Sequence, residues 1–393
     1  MEAFIVAAVR TAGGRRAGKL SGWHPADLAA QVINALLERT NADPALVDDV
    51  IMGCVSQAGE QSTNIARNAV LASKLPQSVP GVSVDRQCGS SQQAVHFAAQ
   101  AVMSGAQDIV IAAGVEAMSR VPMGLPHALP AKNGFGSYIS PAIAARFGVS
   151  DFSQFTGAEA IAVKYGFEKA ALDAYALESH KRAIRATEAG AFKNEIVPVA
   201  IRRHDPAAAG DEGLHTIDEG IRFDATLDSI AGVKLITEGG RISAAAASQI
   251  CDGSAGVMIV NERGLKALGA TPLARIHHMT VIGHDPVIML EAPLPATDIA
   301  LKKAGLSIDD IGLYEVNEAF APVPLAWLKH TGADAARINV NGGAIALGHP
   351  LGGSGAKLMT TLVHAMQQRK VRYGLQTMCE GGGLANVTII ERL

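Results

Sequence analysis

Apolar positions along the first 120 residues alternate between two rhythms. Phe4–Val9 is an unbroken apolar run of strand length, and Val50–Val55, Val82–Val84 and Ile109–Ala113 are further short runs. Between them, Asp27–Arg39 carries Leu28, Val32, Ala35 and Leu36 at helical spacing. The stretch from about Ser90 to Met103 is apolar on most faces, which predicts a buried helix. Strands alternating with helices predict an α/β fold with mostly parallel core sheets.

The second half repeats the script. Pro25-Ala26-Asp27-Leu28-Ala29 opens a helix leading to Asp48-Asp49-Val50-Ile51, and Pro295-Ala296-Thr297-Asp298-Ile299-Ala300 opens one leading to Asp309-Asp310-Ile311. Val82–Val84, a glycine turn, a helix and Ile109–Ala113 match Ile338–Val340, a glycine-rich turn, a helix from about Ser354 to Gln368, and Leu375–Met378. This predicts two similar α/β halves. The segment from 120 to 241 breaks the pattern with Pro, Gly and charge, and includes a surface helix over Ala170–Ala189. It reads as an insertion, the kind of segment that carries ligand contacts. The chain then returns through Ser243–Gln249 to a strand at Gly256–Val260. The expected division is 1–119 (completed by about 242–270), 120–241 and 271–393.

Composition narrows the function. The 393 residues are 48% hydrophobic and 18% charged, enough for a large core and too apolar for disorder. A net charge of −3 lacks the basic excess that nucleic-acid binding needs. No apolar stretch reaches the roughly 20 residues of a membrane span. The first ten residues read as a strand rather than a signal peptide, and Glu391-Arg392-Leu393 is not the usual peroxisomal tripeptide. Cys54, Cys88, Cys251 and Cys379 show no zinc or CxxC spacing, which points to a reduced, cytoplasmic protein.

Four segments could carry chemistry. In Asp85-Arg86-Gln87-Cys88-Gly89-Ser90-Ser91 a strand ends and a buried helix begins, so Cys88 sits where unpaired N–H groups favour a thiolate; the alternative is an inert core cysteine. His349 lies on a rigid turn between Gly348 and Pro350, either structural or chemical. Cys379-Glu380-Gly381-Gly382-Gly383 leads a thiol from a strand into a turn whose N–H groups can bind an oxyanion. Glu315-Val316-Asn317-Glu318-Ala319-Phe320 puts polar groups at a strand end. Cys88, Asn317, His349 and Cys379 all fall where a strand is read to end, the default ligand face of a parallel sheet. His277, His278 and His284 lack companions at metal spacing and read as core or solvated histidines. Cys54 and Cys251 read as inert, and Met118 and Met123 as packing.

Taken together, Gln87-Cys88-Gly89-Ser90, Asn317-Glu318-Ala319-Phe320, Asn341-Gly342-Gly343-Ala344-Ile345-Ala346-Leu347-Gly348-His349-Pro350 and Cys379-Glu380-Gly381-Gly382 resemble the thiolases over nearly the whole chain. The resemblance implies two duplicated α/β halves with an inserted loop domain over the CoA site. It implies Cys88 as the nucleophile that carries the acyl group, and His349 as the acceptor of its proton. Asn317 then completes a first oxyanion site, and Cys379 is the acid/base at C2. The N–H groups of Cys88 and Gly381 form a second oxyanion site. By the same resemblance Ser248, Arg222, Ala319 and Phe320 contact CoA, which is a substrate; no bound cofactor or metal is implied. Ala246 stands where thiolases usually have Asn, and Ser153-Gln154-Phe155 where short-chain bacterial thiolases have His-Met-Gly. The implied activity is degradative cleavage of 3-ketoacyl-CoA, including steroid or fatty-acid substrates, by a homodimer or homotetramer. The alternatives are a biosynthetic acetyl-CoA acetyltransferase, a decarboxylating ketoacyl synthase and a non-catalytic acyl-CoA-binding relative.

Overall fold

The computed structural model describes residues 1–205 and 212–393. Among the described residues the strands are, in chain order, β1 (Phe4–Thr11), β2 (Gly14–Arg15), β3 (Asp49–Gly53), β4 (Gly81–Val84), β5 (Ile109–Ala117), β6 (Ile196–Val197), β7 (Val199–Ala200), β8 (Leu214–His215), β9 (Cys251–Val260), β10 (Ala274–Gly283), β11 (Leu313–Val316), β12 (Tyr373–Glu380) and β13 (Leu384–Arg392). One sheet runs β11-β12-β13-β10-β1-β9-β5-β3-β4, with β2 beside β9 and β6 beside β1.

Strand direction exposes the repeat. β4, β3, β5 and β1 all point one way, with β9 inserted antiparallel between β5 and β1. β11, β12 and β10 likewise share a direction, with β13 inserted antiparallel between β12 and β10. Beside β11, Ile338 bridges Tyr314 in parallel, the place that β4 takes beside β3. Ile338–Val340, expected as a full strand, makes only that bridge, because Asn339 turns into a left-handed conformation at φ 44°. Within the sheet the halves meet at β1 and β10, which pair at Phe4–Arg275 and Ile5–Ala274.

Five layers result. The helices Pro25–Thr40 and Ile65–Ala72 cover the outer face of the first half, and Pro293–Ala304 and Pro322–Thr331 that of the second. Two helices, Ser90–Ser104 and Ser354–Arg369, fill the middle. Their Ala94, Val95, Val102, Met359, Leu362 and Val363 share one core with Ile5, Val257 and Ile390 from both halves. A helix apolar on most faces is what a central layer requires. The two central helices meet at their first turns: Ser91 Oγ accepts from Ala356 N at 2.8 Å, and a Cβ on Gly355 would overlap Gln92 N.

The insertion holds the helices Leu125–Lys132, Pro141–Phe147, Gln154–Tyr165 and Lys169–Glu188. The last was expected at the surface, yet its Leu172, Ala176, Ser179 and Ala183 are buried. Its small residues form the buried stripe, and the backbone of Gly342 packs directly on Ser179 and Ala183. The Cβ that any other residue would add has no room there, and Gly342 also takes φ 82°.

Candidate active site

The site forms where the central helices begin. β4 ends at Val84, and a tight turn delivers Cys88 two residues ahead of the Ser90–Ser104 helix. Gln87 is held at φ 49°, a costly conformation for a side chain with a Cβ. The turn is cross-braced to keep it there. Asp85 Oδ1 accepts from Gln87 N at 2.7 Å, Ser90 Oγ accepts from Arg86 N at 2.9 Å, and Gln87 O accepts from Ser90 Oγ at 2.6 Å.

His349 follows the one-turn helix Ala344–Leu347 and precedes Ser354–Arg369 by a short turn. It does not end a strand; the extended backbone here bridges Ile250, and Gln249 O accepts from His349 N at 3.1 Å. Ser354 Oγ lies 2.5 Å from His349 Nδ1 and donates to Pro350 O at 2.9 Å. A hydroxyl has one proton to give, so Ser354 receives the Nδ1 proton and Nε2 carries the free lone pair. Asn317, just beyond β11, places Nδ2 3.5 Å from that Nε2. Its buried Oδ1 has no hydrogen-bond partner among the described residues.

Cys379, the last residue but one of β12, is buried, and Asn317 N donates to the neighbouring strand at Thr377 O, 3.1 Å away. Cys88 lies close enough to Cys379 to raise that thiol electrostatically. The glycine turn after Cys379 reaches the nucleophile turn, since a Cβ on Gly381 would lie 2.9 Å from Gln87 Oε1. Gly89 must be bare as well, because a Cβ there would overlap the Glu380 carboxyl.

Burial and then the Glu380 charge push the Cys88 thiol up to about 12, against the pull of its own backbone N–H. The thiolate expected from the helix start is therefore not the resting form. Cys88 keeps part of its surface open, whereas Cys379 is fully buried; burial, then Cys88 and Glu380, hold the Cys379 thiol well above its ordinary value. Burial and then the Lys357 ammonium push the His349 imidazole down to about 3. Both thiols therefore rest protonated and the imidazole neutral.

A strip of chain knits the rest together. Ser248 N donates to Ala319 O at 2.9 Å, and Ala247 bridges Phe320. Ser248, Ala319 and Phe320 therefore lie beside His349. The Phe155 ring of the insertion sets its edge against Phe320, with centroids 5.7 Å apart. Arg222 is exposed on the insertion, two residues beyond Gly220, whose carbonyl accepts from Gln249 Nε2 at 2.8 Å.

Comparison with known proteins identifies the family. Residues 3–263 match the model of the thiolase N-terminal domain, and residues 270–392 that of the thiolase C-terminal domain. The chain belongs to the thiolase family. It is 51% identical over 394 residues to the steroid 3-ketoacyl-CoA thiolase FadA6 of Mycobacterium tuberculosis, covering 100% of this chain and 94% of that one. It is 42% identical to a 3-ketoacyl-CoA thiolase of Escherichia fergusonii, covering 99% of each. Among solved structures, the acetyl-CoA acetyltransferase of Bacillus anthracis superposes with a TM-score of 0.90 at 34% identity, covering 100% of this chain and 99% of that one. Human mitochondrial 3-ketoacyl-CoA thiolase does so with a TM-score of 0.88, also at 34% identity and the same coverage. As a thiolase, the protein is an acyltransferase of CoA thioesters.

Sequence reasoning passed over several residues of this thiolase site. Ser354 and Lys357 stand five and eight positions after His349; the signal was the helix start, whose first turn must face whatever precedes it. Glu318 was quoted only within a motif, but its carboxylate accepts from Tyr175 Oη, Ser179 Oγ, Asn339 Nδ2 and Ile345 N. The remaining histidines are engaged elsewhere. His278 meets Thr280 Oγ1 at 2.9 Å, His277 packs on Tyr373, and His284 lies 3.6 Å from Glu291. No cluster of three metal-ligating side chains occurs among the described residues, and no helix there is long and apolar enough to cross a membrane. Cys54 and Cys251 are buried, and burial raises both thiols.

Proposed function

We propose that this thiolase cleaves 3-ketoacyl-CoA in the degradative direction, with Cys88 as nucleophile. The Cys88 sulfur attacks the C3 ketone while its proton passes to His349 Nε2. The C2–C3 bond then breaks, leaving the acyl group on sulfur as a thioester and acetyl-CoA as an enolate. Cys379 gives its thiol proton to C2 and releases acetyl-CoA. The resulting Cys379 thiolate takes the proton of incoming CoA, whose sulfur collects the acyl group from Cys88; the Cys88 sulfur leaves as a thiolate and takes its proton back from His349, which restores the resting state. The observation that carries this reading is the resting protonation: a thiol to attack, a neutral imidazole to receive its proton, and a second thiol with a proton to give.

The oxyanions have matching donors. The starts of two long helices meet here, and their partial positive charge favours developing negative charge. The N–H groups of Cys88 and Gly381 serve the tetrahedral intermediates. Asn317 and His349 serve the enolate oxygen, His349 through the proton it has taken from Cys88 and Asn317 by holding on its Oδ1 a water that donates to the oxyanion. Ser248, Ala319 and Phe320 line the way in for pantetheine, and Arg222 stands near the adenine end, under an insertion spanning 120–241.

The apolar Phe155 against Phe320, with Met123 and Leu129 exposed on the same insertion, supports an acyl group larger than acetoacetyl. The name of the relative at 51% identity, a steroid 3-ketoacyl-CoA thiolase, points the same way, toward a ring-bearing chain. The outer strand β4 leaves Val82 exposed at 44%, and the helix Ser90–Ser104, which touches β4, leaves Phe97 exposed; an apolar strand edge supports assembly as a homodimer or homotetramer, in the cytoplasm. Thiolysis rates for 3-ketoacyl-CoAs of graded size, with mass spectrometry of the Cys88 peptide, test the reading. A strong preference for acetoacetyl-CoA refutes the degradative assignment, and absence of an acylated Cys88 refutes the mechanism.

A further inference from the structure

Behind the His349 turn lies a buried cluster of charge that none of these steps uses. Lys357, in the first turn of the Ser354–Arg369 helix, donates from Nζ to Leu347 O at 2.5 Å and Gly348 O at 3.2 Å. These are the two carbonyls immediately before His349. Its charge partner is Asp218, 3.6 Å away on the insertion. Asp218 in turn accepts from Arg10 at 2.8 and 3.1 Å and from Gly13 N at 2.7 Å, while Arg10 also donates to Glu195 at 2.6 Å. Arg10, Lys357, Asp218 and Glu195 are all buried. Two cations against two anions leave the cluster neutral, so Lys357 keeps its proton there despite the cost of burial.

We propose that Lys357 is a positioning residue acting through His349: it pins the turn by two carbonyls and sets a fixed positive charge behind the imidazole, so that the ring works as a base. The proposal rests on the reading of His349 as the acceptor of the Cys88 proton. Ser354 and Lys357 lie three residues apart, on one face of the same helical turn. One helix start thus supplies both the Nδ1 partner and the charge. The other titratable groups that bear on the turn are Cys251 of β9, against Gly348, and Asp218 and Arg10 around the Lys357 ammonium. The charge that opposes protonation of His349 is that of Lys357. A mere brace would need a donor but no charge, and this separates the two roles.

The test compares Lys357→Met, Lys357→Gln and Lys357→Arg in the full-length chain. Gln keeps a donor without the charge, and Arg keeps both. Two quantities are read from pH 4 to pH 8: the rate of Cys88 acylation by a 3-ketoacyl-CoA, and the His349 ring signal in an isotope-labelled NMR titration. With wild type and Arg, the ring stays mostly neutral even at pH 4, as a midpoint of about 3 requires. With Met and Gln, the acid limb moves up by about one pH unit, so about half of the rings are protonated at pH 4 and acylation there falls about twofold further relative to pH 8. An acid limb in the same place for Gln and Arg, however far the rates fall, overturns the proposal and leaves Lys357 a brace. If the Met variant fails to fold, the Gln–Arg pair decides. If wild type itself never acylates Cys88, the mechanism proposed above fails, and the NMR titration still decides the part played by Lys357.

Discussion

Glu318→Gln changes one atom at the joint between the insertion and the catalytic turn. Its carboxylate accepts four hydrogen bonds: Tyr175 Oη at 3.0 Å and Asn339 Nδ2 at 3.0 Å on Oε1, Ser179 Oγ at 2.7 Å and Ile345 N at 3.1 Å on Oε2. A glutamine oxygen can replace only one side. The Tyr175 and Ser179 hydroxyls can rotate to accept from the new amide, but Asn339 Nδ2 and Ile345 N cannot. Whichever way the amide turns, one buried N–H faces another N–H. Leaving one buried donor unsatisfied costs about 1–3 kcal/mol, a large part of the roughly 5–15 kcal/mol that holds a protein folded. The same bond fixes Ile345, four residues before His349, so misplacing the imidazole is expected to lower kcat about tenfold or more. Urea unfolding at constant m-value reads the first effect, and steady-state thiolysis reads the second. A Gln variant within about 0.5 kcal/mol of wild type with unchanged kcat would refute the reasoning.

Three further outcomes follow from the site and its frame. Cys88→Ser is expected to abolish acyl transfer, while Cys379→Ser still acylates Cys88 but loses C–C bond chemistry; equal loss of acylation in both, measured by mass spectrometry, contradicts their separate roles. Gly355→Ala forces a Cβ into the backbone of the facing central helix and should cost about 1–3 kcal/mol, seen as a lower unfolding midpoint; an unchanged midpoint would mean that the helix contact is loose. Asp252 is buried with Oδ1 on Ser119 N at 2.7 Å and Oδ2 without a hydrogen-bond partner among the described residues, and burial pushes its carboxyl up to about 6. The folded protein therefore prefers the protonated acid, and the stability that this contributes is present below about pH 4 and lost as pH rises through about 6. Asp252→Asn keeps the acceptor and removes the charge, so it should gain about 1–3 kcal/mol on wild type at pH 8 and nothing near pH 4; a gap independent of pH would rule this out.

How much of this was legible in the chain depends on range. Local rules placed the strands and helices they predicted to within a few residues, and were silent on β10, β13 and the helix Ile65–Ala72. Asp27–Arg39 became Pro25–Thr40, where His24 Nδ1 caps Ala26 N at 3.2 Å and Asn41 closes the end at φ 48°. Ile109–Ala113 became the longer β5, because pairing with β9 along its whole length adds hydrogen bonds that no local signal encodes. Ile338–Val340 failed as a strand because one residue, Asn339, leaves the extended region and spends its side chain on Val316 and Glu318.

The sequence by itself determined the duplicated script, the central helices and the residue types of the chemistry, because periodicity and glycine placement are written into neighbouring positions. The resemblance to thiolases rested on motifs that are likewise contiguous. Only the tertiary structure decided which groups face one another: that the two central helices meet start to start, that Ser354 sets the His349 tautomer, and that both thiols rest protonated. Proton affinity depends on solvent exclusion and on charges hundreds of positions away, such as Glu380 beside Cys88. The helix start at Cys88 argued for a thiolate, and burial outweighed it, since excluding water from an ion costs more than a helix terminus returns.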